Sequence, residues 1–183
     1  MALRAKAVTI WTIGHSILPI EAFRALLTTQ GIRLVVDVRR FPASRRHPQY
    51  NREALAVALD RAGMRYEPMP ELGGRRTPRA NSTNTGWRNP SFRGYADYAE
   101  TLPFENALSR LLELAEQQST AVMCAEALWW RCHRALISDY LSVAGTTVLH
   151  ITSSGSTVVH ALTGAARVVD GQLKYTAEPP VRS

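Results

Sequence analysis

The sequence predicts an α/β fold: a mostly parallel sheet with helices on both faces, a Rossmann-like three-layer arrangement, followed by a C-terminal β-hairpin. Three observations carry this. Short apolar runs alternate with stretches of helical periodicity from about residue 7 to residue 151. Ile32–Val38 is almost unbroken β-branched or apolar residues, as in a strand buried on both faces. Asp170-Gly171 separates two short alternating runs, and Asp-Gly supplies the positive φ angles of a tight turn.

Taken in order, Ala7–Ile13 reads as a first strand ending at Gly14-His15-Ser16. Pro19 suits the first turn of a helix whose stripe, Ile20, Phe23, Leu26 and Leu27, stops at Gly31. Strand Ile32–Val38 leads into a loop, Arg39–Tyr50, and Asn51 is placed to cap a helix over Arg52–Ala62. Met64–Met69 is the third strand. Pro70–Pro90 has no periodicity, and a loop of that length in a compact domain is usually functional. Two helices, Tyr95–Thr101 and Phe104–Gln117, are separated at Pro103. A strand ending at Cys124, a helix from about Arg131 to Ala144 and a strand over Thr146–Ile151 complete the series. One domain over residues 1–183 is expected, with its core over about 9–152 and a hairpin tail over about 153–183.

Apolar runs are strand-sized, so no membrane span is expected, and Met1–Val8 lacks the apolar stretch of a signal peptide. Two cysteines make no disulfide framework, so the chain reads as cytoplasmic with reduced thiols. The net charge of +7 is concentrated: residues 37–93 hold twelve arginines against five acids, and the remainder balances at ten against ten. Val38–Arg52 and Leu72–Ala96 contain no acid at all. Arginine forks suit carboxylate and phosphate, so these segments point to an anionic partner, a small molecule or a nucleic acid. Trp87, Phe92, Tyr95 and Tyr50 are interleaved with the arginines, as on a surface that stacks bases.

The densest chemistry lies at the turn after the fourth strand, where Cys124, Glu126, Cys132, His133 and Arg134 fall within eleven residues. Carboxyl ends of strands are where open α/β sheets bind ligands. If Arg131 begins the helix, His133 and Arg134 lie about 40° and 60° from its buried face and Cys132 about 140° away. That phase separates Cys132 from His133, and the Cys-x7-Cys-His spacing differs from structural zinc sites, so no metal and no cofactor is expected. An activated thiolate near a helix N-terminus and a Glu126–His133 acid/base pair are both open. His15, Ser16, Asp37 and Arg39 close two other strands, and an Asp37 salt bridge to Arg39 or Arg134 is expected. No dinucleotide fingerprint follows Gly14. Trp129 and Trp130 are placed to line or cover the pocket.

Thr12-Ile13-Gly14-His15-Ser16, Asp37-Val38-Arg39, Pro42 with Ser44, Leu72-Gly73-Gly74, Phe92-Arg93-Gly94-Tyr95, Cys124-Ala125-Glu126 and Cys132-His133-Arg134 occur in one order. In this the chain resembles the domain of unknown function 488 family over roughly residues 9–152. The resemblance implies a compact α/β domain in which these motifs converge, and it supplies no activity. Relatives carry polar residues where this chain has Ala127-Leu128-Trp129-Trp130, which implies a more apolar pocket rim.

The expectation is a small enzyme acting on a phosphate-bearing or nucleotide-like substrate. Glu126, His133 and Cys124 are its candidate catalytic residues. His15, Ser16, Asp37, Arg39, Arg134, Arg93 and Tyr95 are its candidate binding residues. The alternatives are a nucleic-acid-binding module using residues 39–93 and a metal-dependent protein.

Overall fold

A computed structural model describes residues 8–177. The elements run β1 (Thr9–Gly14), α1 (Ile20–Thr29), β2 (Leu34–Asp37), α2 (Arg52–Asp60), β3 (Arg65–Pro68), α3 (Pro90–Ala99), α4 (Leu102–Gln117), β4 (Thr120–Cys124), α5 (Arg134–Val143), β5 (Thr147–Ile151), β6 (Thr157–Val159), β7 (Arg167–Val169) and β8 (Gln172–Lys174). Short 3-10 turns at Pro48–Tyr50, Pro70–Leu72 and Trp129–Arg131 punctuate the loops. Six strands form one sheet in the order β3-β2-β4-β1-β5-β6, parallel except for β6, and β7-β8 form the separate hairpin.

Period-two alternation builds two cores. Leu34, Val36, Val122 and Ile10 face Phe104, Leu111, Leu136, Ile137 and Leu141 on the α3–α5 side. Val35, Ala121, Met123 and Ile13 face Phe23, Leu27, Leu55 and Leu59 on the α1–α2 side. Both faces are covered, as the Ile32–Val38 run requires. Connections from β1 pass under α1 to β2 on one side, while those from β4 pass under α5 to β5 on the other. The sheet therefore has its topological switch point between β1 and β4, where a crevice opens at the strand ends.

Several boundaries differ from the sequence reading. α3 starts at Pro90 rather than Tyr95, because Asn89 caps it with a bond from the Ser91 N–H at 2.8 Å and Pro90 needs no N–H there. Asn51 makes no side-chain cap; its Oδ1 instead accepts from the Ser44 N–H at 2.7 Å and pins the Arg-rich loop. β6 escaped detection, since three exposed residues carry no periodicity. The hairpin turn is as expected, with φ 50° at Asp170 and 75° at Gly171.

The tail is joined to the sheet through a buried polar chain. Asp139 on α5 accepts from His160 Nε2 at 2.9 Å, from the Thr163 N–H and hydroxyl at 2.9 and 2.6 Å, and from the Tyr175 hydroxyl at 2.9 Å. We expect Tyr175→Phe to lower stability by about 1.5 kcal/mol, the usual cost of losing a hydrogen bond to a charged acceptor. Denaturant unfolding followed by circular dichroism measures this; an unchanged midpoint would mean that the Tyr175–Asp139 bond does not contribute to the fold.

Candidate active site

A cavity of about 650 Å³ lies at the carboxyl ends of β1, β2 and β4, against the lead-in to α5. Its walls include His15, Ser16, Arg39, Tyr95, Cys124, Glu126 and His133 from the sequence-derived set. They also include Cys132, Arg40, Phe41, Arg75 and Arg131. The β1 and β4 ends are clamped together: His15 N–H donates to Cys124 O at 3.0 Å and Ser16 N–H to Ala125 O at 2.9 Å. Ser16 holds φ 46° in that turn, a left-handed conformation uncommon outside glycine.

Three of the candidate binding residues lie outside the cavity wall. Asp37 is buried beneath Arg39, which donates from Nε and Nη2 to its carboxylate at 2.8 and 2.6 Å. Tyr66 adds a hydroxyl at 2.7 Å. This is the expected ion pair, and it leaves Arg39 largely committed: Nη2 also donates to Tyr50 O, and Nη1 lies 3.3 Å from His15 Nε2. Arg93 turns away and donates to Trp87 O at 3.0 Å. Arg134 does not reach the cavity; it is 1% exposed, and its guanidinium bonds the Glu126 carbonyl, the Ala127 carbonyl and Thr12 Oγ1. An arginine that braces a loop from within is no open fork for a ligand.

The helix at the site begins later than its apolar pattern suggested. Trp129–Arg131 is a 3-10 turn, Cys132 is extended with φ −126° and ψ 152°, and His133 occupies the N-cap of α5. The angular argument that parted Cys132 from His133 therefore fails, because neither lies within α5. Cys132 Sγ sits 3.5 Å from His133 Nδ1 and accepts the Arg134 N–H at 3.5 Å. Strand alternation turns Cys124 toward the same α5 side. Cys124, Cys132 and His133 thus bring their ligand-type atoms within 4.8 Å of one another.

That contact sets the charges. Cys132 is pulled down to about 6, first by the S–H of Cys124 and then, against burial, by the Arg134 charge and N–H. Cys124 is pushed up, first by the same bond and then by burial. The two shifts run in opposite directions, so of the pair Cys132, at the N-terminus of α5, gives up its proton first. Burial lowers His133, so its imidazole is neutral and can donate from Nδ1 to the thiolate. His15 is lowered to about 4, mainly by burial and then by the Arg39 charge. Its Nδ1 donates to Ser16 O at 3.0 Å, and its ring stacks on Tyr50 at 3.9 Å.

The aromatic residues interleaved with arginine mostly point inward. Tyr50 and Tyr95 are core residues, and Trp87 packs on Phe92 and Tyr175. Over residues 39–93 this leaves Phe41, 63% exposed with Arg40 and Arg75 against its ring, and the half-buried Phe92 on the cavity wall. Trp129 does not cover the pocket: it stacks on His150 at 4.1 Å, and Trp130 stands exposed beside it. Arg40 and Arg75 belong to the acid-free runs, which was their signal. Arg131 had none, because its side chain was placed on a helix that starts three residues later.

A family model described as Domain of unknown function DUF488 matches residues 19–141. No curated protein and no solved structure matches the chain. Among the described residues, no helix is long and apolar enough to cross a membrane.

The thiolate is directly measurable. Ultraviolet absorbance of the native protein should show one thiolate titrating with a midpoint of about 6. Cys132→Ser should remove it, and Cys124→Ala should raise the midpoint by about one unit or more through loss of the donated S–H. A midpoint in the range of a free cysteine would refute the paired assignment.

Proposed function

The chain belongs to the DUF488 family, and from that premise we propose a small enzyme acting on a phosphate-bearing or nucleotide-like substrate, with Cys132 as its nucleophile. One observation carries this reading: the Cys132 thiolate faces a sizeable cavity whose rim bears Arg40, Arg75 and Arg131. These three exposed arginines provide the anion seat expected earlier of Arg39 and Arg134. A phosphate is repelled by the thiolate and attracted by the rim, so it serves as a handle while an electrophilic carbon of the same molecule reaches the floor.

Attack forms a bond from Cys132 Sγ to that carbon as the bond to the leaving group breaks, and the leaving group departs with the bonding pair and takes a proton from solvent. Water then removes the group from sulfur, with the Glu126 carboxylate accepting the proton of that water. His133 acts through the thiolate, donating to it, and Cys124 lowers its basicity. Cys124 is thereby moved from candidate nucleophile to supporting thiol.

Thermal-shift screening against nucleotides and sugar phosphates tests the reading. We expect a phosphate-bearing ligand to stabilise the protein, and Arg75→Ala and Arg131→Ala each to weaken it about five- to tenfold. Turnover of that ligand should rise with pH through about 6 and vanish in Cys132→Ser. If no anionic compound stabilises the parent, the reading falls.

A second reading rests on the clustering of Cys124, Cys132 and His133. Two thiol sulfurs and one imidazole within 4.8 Å form a soft donor set with room for a fourth ligand from the cavity. In that case protein purified without chelator should contain one equivalent of zinc or copper by elemental analysis, lost in Cys132→Ser. Substoichiometric metal ends it.

A further inference from the structure

Two thiols on one cavity wall, eight positions apart in sequence and with their sulfurs within 4.8 Å of one another, offer chemistry that a single nucleophile does not. Both are free, and both border a space large enough for a small molecule. Cys132 lies in extended backbone between a 3-10 turn and α5, so its side chain is not confined by a helical turn. Cys124 is the last residue of β4, and the intervening Ala125–Leu128 are solvent-exposed. A disulfide is about 2 Å long, so the two sulfurs, already within 4.8 Å, have less than about 3 Å to close.

We propose that Cys124 and Cys132 form a reversible intramolecular disulfide, made by exchange with a low-molecular-weight disulfide that enters the cavity. Cys132 thiolate attacks one sulfur of the small disulfide, forming a mixed disulfide and expelling one small thiolate. Cys124 then gives up its proton and attacks Cys132 Sγ; the Cys124–Cys132 bond forms as the mixed disulfide breaks, and the second small thiolate takes up the proton. In sum the thiolate–thiol pair of the protein is oxidised by two electrons and the small disulfide is reduced to one thiol and one thiolate, the thiolate taking its proton from solvent. Cys132 is the attacking residue because the Arg134 N–H and His133 Nδ1 stand 3.5 Å from its sulfur at the start of α5, and Cys124, at the end of β4 on the same wall, is the resolving residue. The inference extends the role of Cys124 beyond the proposed catalytic step: oxidation removes the nucleophile in a form that a thiol restores, ahead of irreversible oxidation of a lone thiolate.

The test uses the full chain and glutathione disulfide, followed by acid quench, alkylation and intact mass. The native protein is expected to lose two hydrogens, accept no alkyl group and recover both thiols with dithiothreitol. Cys124→Ser should stop at a stable adduct of one glutathionyl group on Cys132. Cys132→Ser should form any adduct at least about tenfold more slowly, as expected when the thiolate is removed. A native protein that keeps both thiols, that stops at the same mixed disulfide as Cys124→Ser, or that oxidises only between chains would overturn the proposal. None of these readouts involves a phosphate-bearing substrate, so failure here leaves the catalytic reading standing, and failure of that reading leaves the exchange chemistry measurable.

Discussion

A buried cation, Arg134, is the constraint on which the site is built. Arg134 is almost fully enclosed, and among the described residues no carboxylate pairs with it. Removing a guanidinium from water costs several kcal/mol unless charge and hydrogen bonds compensate. Carbonyls of Glu126 and Ala127 and the Thr12 hydroxyl supply the bonds. The loop from β4 is shaped around Arg134, and the Arg134 charge and N–H add to the larger effect of Cys124 in lowering Cys132.

The brace is itself anchored. Arg134 Nη1 donates to Thr12 Oγ1 at 3.3 Å, which frees the Thr12 hydroxyl to donate to His150 Nδ1 at 2.7 Å. His150 is held down to about 3, by burial first and then by His160 and Arg134, so it is neutral and donates from Nε2 to His160 Nδ1 at 2.9 Å. His160 donates in turn to Asp139. Each group along this line gives one hydrogen bond and accepts one, so no charged imidazole is required at either histidine. The line runs from the site, across β1 and β5, to the segment bearing the C-terminal hairpin. Residues beyond the family match at 141 are therefore part of what holds the Cys124–Arg134 turn in place.

Regular elements were legible in the sequence because both faces of the sheet are buried. Near-continuous apolar runs in β2 and β4, glycine stops at Gly31 and Gly63, and Asp-Gly at the hairpin each have one physical meaning. The location of the site was legible for a similar reason, since polar residues ending buried strands have few places to go. Its internal arrangement was not. The apolar stripe of α5 continues visually into Trp129-Trp130, while the chain inserts a 3-10 turn and an extended residue before the helix, and that displacement turns Cys132 onto the cavity wall. Burial of Arg134 was equally hidden, because a charged side chain is ordinarily read as exposed.

Close backbone approach completes the design. A methyl group at Gly14 would overlap the Glu126 carbonyl, and one at Gly74 would lie 2.8 Å from His133 Nδ1. The first glycine lets the β4 loop settle onto Arg134; the second lets the long loop after β3 close over the imidazole beside the thiolate. The cavity is then divided by charge. Its floor carries Cys132 beside the neutral imidazoles of His15 and His133, and its rim carries arginine in open solvent. On the reading proposed above, a negatively charged ligand is drawn to the rim and repelled by a Cys132 thiolate at the floor. On that reading a compound anionic at one end and electrophilic at the other satisfies both zones, and a small free anion only the rim.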